Sequence, residues 1–213
     1  MKIADINKLL DHEYLPLENG WLRNDDGTLH VAARTHMIGC NGEMVKWWFS
    51  FIHHTEQYLW WHPRDHVFSD WVGPRGTGEF IGGTHIVDEY LGGGPDLHKL
   101  KINFRDPKEK LDVGRFKQAK VSAVIYGRVG LREPDIWTGY LCHLIQDIPE
   151  GCVMRSRFWL GHVEPTPPDL SPEMLKQLIP DSFAQGLQKH ASEEMSILAS
   201  FLPTVYRIHN PGN

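Results

Sequence analysis

The chain has 213 residues, of which 41% are hydrophobic and 23% are charged, a balance that suits one folded domain with a sizeable core. Its formal net charge is −5 and no basic run stands out, which argues against a nucleic-acid partner. The sequence shows no secretory signal and no apolar run of membrane-spanning length, so we expect a cytoplasmic protein without a membrane partner.

Histidine and tryptophan are abundant, with thirteen and eight copies. Histidine is the commonest metal ligand, and tryptophan supplies flat apolar surface for cores and for aromatic-ligand pockets. The three cysteines, Cys40, Cys142 and Cys152, lack metal-type spacing and predict reduced thiols rather than a disulfide framework. The composition therefore directs attention to the histidines.

The N-terminal half predicts short elements separated by turns. Residues 2–11 have helical apolar spacing, and residues 12–30 are turn-rich and therefore irregular or hairpin-like. A helix is predicted over 41–51. Pro63 argues against a continuous helix through 55–72.

The remainder predicts strands followed by helices. A Pro-rich linker at 164–170 precedes a short helix at 171–179 and a long one at 181–201. Antiparallel strands followed by one long C-terminal helix form an α+β arrangement, in which a curved sheet around the helix leaves a cavity between them. The predicted strands lie at 79–91, 99–105, 120–129, 136–147 and 151–162.

The long helix carries two polar residues on an otherwise apolar face. At about 100° per residue, one side contains Phe183, Leu187, His190, Glu194, Ile197, Leu198 and Phe201. A buried carboxylate is costly unless it is paired or bound to a metal, and a His/Glu pair four residues apart can hold a divalent cation. The alternatives are that His190 and Glu194 bond each other or lie in water at the edge of the apolar stripe.

Further ligands could come from two upstream clusters. His62 and His66 lie in a Trp-rich segment, and the residue types leave the choice between them open. On the strand at 79–91, Glu89 shares a face with His85, whereas Asp88 projects to the opposite side. Glu89 could equally be a solvated residue at a strand end, and the two histidines could simply pack on tryptophans.

His143 lies in the middle of a strand and shares its face with Leu141 and Ile145. A single histidine in such a place is commonly a hydrogen-bonded core residue. If it faces a cavity, its imidazole is suited to general acid–base chemistry near neutral pH.

Five segments in the same order resemble the 2,4-diacetylphloroglucinol hydrolase and phloretin hydrolase family, and the resemblance spans about residues 35 to 201. The segments are 43–49, 58–66, 83–92, 154–161 and 186–194. The resemblance implies a Bet v 1-like (START-like) helix-grip fold. It also implies a single domain over 1–213, with an N-terminal extension at 1–34 and a hydrolase-like core at 35–201.

The resemblance also implies the site. It implies a buried Zn²⁺ held by two histidines and two glutamates, and a catalytic histidine that would protonate the leaving ring carbon. The zinc ligands would be His62, Glu89, His190 and Glu194, with His66 as the alternative to His62. The catalytic residue would be His143, and the substrate-binding polar groups would be Tyr58, Asp65, His66 and Asp70.

The function implied is zinc-dependent hydrolysis of the carbon–carbon bond between an acyl group and a phenolic ring, with a small aromatic ketone as the substrate. Two alternatives stay open: a non-catalytic carrier of small aromatic or apolar ligands, and another zinc or iron enzyme that uses the same cavity. The sequence leaves the oligomeric state open, with a homodimer as the candidate assembly.

Overall fold

One antiparallel sheet dominates the computed structural model, which describes residues 1–11, 14–74 and 79–212. Its strand order is β1-β2-β8-β7-β6-β5-β4-β3, so the first hairpin lies beside the last strand of the chain. Within the described residues the strands are β1 Gly20–Arg23, β2 Leu29–Ile38, β3 His66–Val72, β4 Thr84–Tyr90, β5 Leu97–Arg105, β6 Val121–Leu131, β7 Ile136–Ile148 and β8 Gly151–Glu164.

The helices lie before and after these strands. Short 3-10 turns occur at Ile3–Leu10, Pro107–Glu109 and Val113–Arg115. The predicted start near residue 41 is confirmed, because the Asn41 side chain accepts a hydrogen bond from the Met44 N–H and caps the first helix. None of the helices in the described ranges combines the length and apolarity that a bilayer crossing requires. The α-helices are α1 Gly42–Phe51, α2 Thr55–Trp61, α3 Pro172–Leu178 and α4 Asp181–His209.

The long helix α4 packs its predicted apolar stripe against one face of the sheet. Leu187, His190, Glu194 and Leu198 are all buried. The predicted end at residue 201 is wrong, because the helix continues through Pro203 to His209. Proline has no N–H to donate to the carbonyl four residues earlier. The Cys40 thiol, 3.8 Å away, donates instead to that oxygen, the carbonyl of Ala199.

Both faces of the sheet are covered where β7 and β8 lie. The inner face contributes residues such as Phe158 to the core beneath α4, and the outer face is covered by the N-terminal turn through Ile6 and Leu9. Trp159 is buried on that outer side. This double covering explains why β8 is buried along almost its whole length, whereas a strand with one wet face alternates.

The sequence did not predict β2 or β3 as strands. β2 is buried on both sides over most of its length, so its residues do not alternate, and β3 is a short edge strand with a bulge after His66. The expectation of a hairpin-like segment over 12–30 is confirmed by the pairing of β1 with β2. Because β2 crosses residue 35, the N-terminal extension and the hydrolase-like core contribute to the same sheet.

Candidate metal centre and substrate cavity

Three elements bring two histidines and two glutamates together beneath the sheet. Glu89 lies on the buried face of β4, while its neighbour Asp88 points away and pairs with Arg132, as the strand alternation predicted. His66 is the residue directly opposite Glu89 in the β3–β4 register. His190 and Glu194 come from one face of α4. The cross-strand pair and the helical pair therefore face each other.

The donor atoms of the four residues lie within 4 Å of their neighbours. His66 Nε2 is 3.4 Å from Glu194 Oε1 and 3.8 Å from Glu89 Oε2. His190 Nε2 is 3.9 Å from Glu89 Oε2 and 4.0 Å from Glu194 Oε2. Two ligand atoms on a tetrahedral zinc ion lie about 3.4 Å apart, so a small contraction of this set would enclose a cation.

Hydrogen bonds on the far side of each imidazole leave the inward nitrogen available. His66 Nδ1–H donates to the Tyr58 carbonyl oxygen at 2.8 Å, and His190 Nδ1–H donates to Asp65 Oδ2 at 3.1 Å. When Nδ1 carries the proton, the neutral ring presents a lone pair at Nε2. The buried Nε2 atom of His66 makes no hydrogen bond with any described residue. This donor set therefore fits a divalent cation.

His62 lies behind this cluster rather than in it. Its Nδ1 accepts a hydrogen bond from the Asp65 N–H at 3.2 Å, so the proton of the neutral ring resides on Nε2. That Nε2 atom lies 3.6 Å from Asp65 Oδ2 and 3.6 Å from Glu193 Oε2, and the ring stacks on His190 with centroids 5.0 Å apart. The structure thus brings His66, and not His62, up to the two glutamates.

Asp65 supports His190 from behind. Its fully buried carboxylate accepts hydrogen bonds at Oδ2 from the His190 ring and from the Gly92 N–H at 3.0 Å. Burial opposes ionisation, but the hydrogen bond with His190 and the nearby charges of His62 and Arg64 hold the pKa of Asp65 well below its usual range. Asp65 is therefore an ionised partner of a candidate metal ligand.

A close approach of two glycines fixes the distance between the end of β4 and α4. Gly92 has a φ of +64°, and a Cβ built there would lie 2.5 Å from the Gly186 carbonyl oxygen. Any larger side chain would push the helix away from the strand. This contact determines how closely His190 can approach Glu89.

The charges of the cluster shift its pKa values. Burial lowers the pKa of His190, but the hydrogen bond with Asp65 and the nearby carboxylates Glu89 and Glu194 outweigh burial and raise it to about 9. Burial raises the pKa of Glu194, but His66 and His190 reverse this effect and lower it overall. In the absence of a metal, the cluster holds a proton on His190.

A small cavity of about 60 Å³ adjoins the four-residue cluster and is lined by three of its members, Glu89, His190 and Glu194. His143 lies on its wall, and its Nδ1 bonds Ser156 Oγ at 2.8 Å. Burial lowers the pKa of His143 to about 4, so its ring is neutral at neutral pH. The polar residues that line the cavity are Tyr58, His85, Glu89, His143, His190 and Glu194.

The predicted substrate-binding residues have different locations. Tyr58 lines the cavity and donates a 2.5 Å hydrogen bond from its hydroxyl to Glu89 Oε2. Burial and the charge of Glu89 raise the pKa of Tyr58 well above its usual value, so the hydroxyl keeps its proton. Asp70 is exposed on the opposite face of β3 from Ser69 and Trp71, and its carboxylate accepts from the Trp71 N–H. The structure does not bring Asp70 to the cavity.

The sequence reasoning did not select His85 as a site residue, although it lines the cavity. The sequence did contain an indication of this position, because strand alternation placed His85 on the same face as Glu89. The apolar walls from Phe49, Phe104 and Phe158 could not be assigned from sequence, since they come from three distant elements.

Comparison with known proteins identifies the family. The sequence profile described as "DAPG hydrolase PhiG domain" matches residues 1–207. The chain belongs to the DAPG hydrolase family. The family resemblance drawn from the five sequence segments is therefore confirmed.

Named members of the family are similar to this chain over most of its length. The 2,4-diacetylphloroglucinol hydrolase of Pseudomonas protegens is 27% identical over 227 residues, which cover 96% of this chain and 73% of that protein. The phloretin hydrolase of Eubacterium ramulus is 29% identical over 204 residues, which cover 85% of this chain and 68% of that protein.

Solved structures support the fold. The Zhui aromatase/cyclase from Streptomyces matches with a TM-score of 0.51 and 10% identity, over 87% of this chain and 99% of that chain. The KanY protein matches with a TM-score of 0.50 and 11% identity, over 81% of this chain and 97% of that chain. At such identities the likeness concerns the fold alone. Together with the antiparallel sheet around α4, it confirms the predicted Bet v 1-like helix-grip fold.

Proposed function

We propose that this chain is a zinc-dependent hydrolase that cleaves the carbon–carbon bond between an acyl group and a phenolic ring of the phloroglucinol type. The observation that carries the proposal is the convergence of His66 with Glu89, His190 and Glu194, because the last three line a cavity together with His143. The names of the relatives, 2,4-diacetylphloroglucinol hydrolase and phloretin hydrolase, support an acylphenol substrate.

The donor set suits zinc. Two neutral imidazole nitrogens and two carboxylates match the nitrogen and oxygen ligands that Zn²⁺ binds. When bound, the ion would supply Lewis acidity to the acyl oxygen and to a water molecule. The four residues that would hold the ion would also have to leave it access to water and substrate, for which release of one carboxylate would suffice. Tyr58 already competes for Glu89, because its hydroxyl donates to Glu89 Oε2.

The difficult step is the departure of a ring carbon with an electron pair, and His143 is placed to assist it. Because its pKa is lowered, the neutral ring must first take a proton from a substrate hydroxyl. Returning that proton to the ring carbon that bears the acyl group converts the phenol to its keto tautomer. The hydrogen bond with Ser156 keeps the imidazole oriented during this transfer.

Hydrolysis of the keto tautomer then releases the acyl group from the ring. Water adds to the acyl carbon, the carbon–carbon bond breaks, and its electron pair moves to the ring ketone oxygen, which is protonated to restore the phenol. The products are a carboxylic acid and the deacylated phenol. Buried apolar walls such as Phe104 and Phe158 exclude further water from the reacting centre.

The cavity is small for a substrate of this class. Its volume of about 60 Å³ holds a few water-sized groups, whereas pockets for drug-sized ligands measure about 300–1,000 Å³. We infer that binding of the aromatic ring moves lining side chains outward, while the four ligand residues stay fixed by Asp65, Tyr58 and the Gly92–Gly186 contact.

A matched pair of histidine variants tests the metal site. Purified wild type, His66→Ala and His62→Ala would be compared for metal content and for acid release from acylphloroglucinols. We expect zinc in wild type and in His62→Ala, and loss of both zinc and activity in His66→Ala. A chelator would abolish wild-type activity and added zinc would restore it.

The opposite result, with metal retained in His66→Ala and lost in His62→Ala, would show that the ligand set is wrong. Metal-free wild type that binds acylphenols without cleaving them would instead support the carrier alternative.

A further inference from the structure

The cavity contains a second neutral imidazole, His85, that the proposed mechanism does not use. His85 lies on the buried face of β4 and is 3% exposed. It lies opposite Trp71 on β3 and Ile102 on β5, so it occupies the middle of a three-strand segment of the sheet. Burial lowers its pKa to about 3, and the ring is therefore uncharged at neutral pH.

Three contacts hold the His85 ring in one orientation. Its Nε2 bonds Ser69 Oγ at 2.7 Å, and its face stacks on Trp71 with ring centroids 4.5 Å apart and an interplanar angle of 16°. The Tyr58 ring meets it edge-on at a centroid distance of 5.3 Å. A ring fixed on three sides presents its remaining nitrogen in a defined direction, as a binding group requires.

That remaining nitrogen, Nδ1, makes no hydrogen bond with any residue in the described ranges. Its surroundings on the cavity wall include the apolar side chains of Ile102 and Phe104. Because His85 lines the cavity, a ligand bound there is favoured when it brings a hydrogen-bonding group to Nδ1. A charged ligand group is disfavoured there, because the ring is neutral and the wall is apolar.

The partner of Nε2 indicates which ligand group fits. The Ser69 hydroxyl can rotate to donate to Nε2 or to accept from it, and the tautomer of His85 changes accordingly. Nδ1 can therefore act as an acceptor or as a donor. A hydroxyl group matches both states, whereas a carbonyl oxygen matches only one.

We propose that His85 binds a hydroxyl group of the aromatic ring and thereby selects polyhydroxylated substrates. His85 and Glu89 lie on one face of β4 and are separated by about 13 Å of backbone rise. The Tyr58 side chain spans from one to the other, because its ring lies 5.3 Å from the His85 ring and its hydroxyl bonds Glu89 Oε2. The hydroxyl that it binds is therefore the one opposite the acyl group. This assignment rests on the proposed function, because it takes the acyl group to lie at the metal centre.

A substrate pair combined with two variants tests the assignment. The probes are 2,4,6-trihydroxyacetophenone and 2,6-dihydroxyacetophenone, which lacks the hydroxyl opposite the acyl group. We expect wild type to prefer the first by about tenfold in kcat/KM, mainly through KM, because this hydroxyl binds but does not react. In His85→Phe, which keeps an aromatic ring but no nitrogen, the preference should fall to about twofold or less.

His85→Asn is the conservative variant, because its amide both donates and accepts. It should retain part of the preference, and it replaces His85→Phe if that variant does not fold. Zinc content and the far-ultraviolet circular dichroism spectrum should match wild type in both variants. A purely structural role for His85 would lower stability without changing the substrate ratio.

Equilibrium binding of the two probes separates this assignment from the proposed function. If wild type cleaves neither probe, the hydrolase proposal fails, yet the ratio of their affinities in wild type and variants still tests His85. An unchanged preference in both His85 variants overturns the assignment. So does a wild type that fails to bind the trihydroxy ketone at millimolar concentration.

Discussion

The two faces of the sheet at β8 each bury a charged cluster, and the clusters differ in how their charges are neutralised. Ser156 and Phe158 belong to the inner face with the candidate metal centre, whereas Arg155 and Arg157 alternate with them and belong to the outer face. Side chains on the two faces are separated by the sheet itself. Each cluster therefore has to be stabilised by its own partners.

The outer cluster supplies its own counterions. Glu18 accepts from Arg155 Nη2 at 2.6 Å and from Arg157 Nη2 at 2.7 Å, while Arg155 Nη1 also donates to the Leu9 carbonyl oxygen at 3.0 Å. The inner cluster has two buried carboxylates, Glu89 and Glu194, facing His66 and His190, and in the absence of a metal His190 holds a proton. Among the described residues, the outer guanidiniums bond directly to a carboxylate and form a structural ion-pair cluster, whereas the two inner carboxylates beside the unbonded His66 Nε2 favour a cation.

Removing the outer carboxylate should have the largest effect on stability. Glu18→Gln removes the carboxylate that bonds both fully buried guanidiniums, so we expect a loss of about 3–5 kcal/mol in the free energy of unfolding. Urea unfolding would measure it, with the exposed Glu150→Gln as a control that should change stability by less than about 0.5 kcal/mol. Metal content of the folded variant should be unchanged. A loss below about 1 kcal/mol would contradict this account of the outer cluster.

The metal-free protein should lose stability as pH rises, because a proton on His190 takes the place of the cation. The folded pKa is raised from 6.5 to about 9, so this contribution is complete below about pH 6.5 and is lost as pH rises through 9. Its full size is about 3 kcal/mol.

Unfolding of chelator-treated protein between pH 6 and pH 10 would measure that decline, and His190→Gln should flatten it. In zinc-loaded protein the same decline should be absent, since His190 would then be neutral. If the stability of the metal-free wild type does not change over this range, His190 does not carry the proton that we assign to it in the inner cluster.

A smaller effect is expected behind the metal centre. Asp65→Asn keeps the size of the side chain but removes the negative charge that holds His190, so zinc affinity should fall about 10–100-fold. Competition with a chromophoric chelator would measure it. Asp88→Asn is the matched control, because Asp88 adjoins Glu89 but points to the other face. Equal losses in the two variants would indicate a general disturbance of β4 rather than loss of support for His190.

Local periodicity predicted much of the site. The spacing of His190 and Glu194 on α4 and the alternation of Glu89 on β4 both placed these side chains toward the interior, where the structure has them. The same reasoning placed the end of α4 at residue 201, whereas the helix continues past Pro203. Local periodicity does not reveal that the distant Cys40 thiol donates to the Ala199 carbonyl, which receives no N–H from Pro203. The resemblance, rather than periodicity, put Asp70 among the pocket residues, whereas the structure has it on the exposed face of β3.

The sequence by itself predicted the α+β arrangement and two inward-facing residue sets, one on the long helix and one on a strand, because those properties follow from repeats of two to four residues. The family resemblance, and the helix-grip fold that it implied, came instead from five segments in the same order. Only the tertiary structure shows that His66, rather than His62, lies beside Glu89 and Glu194. That placement depends on the register of β3 against β4 and on two hydrogen bonds, from His66 to the Tyr58 carbonyl and from the Asp65 N–H to His62. These contacts set which ring nitrogen keeps its lone pair, and no local sequence pattern encodes them.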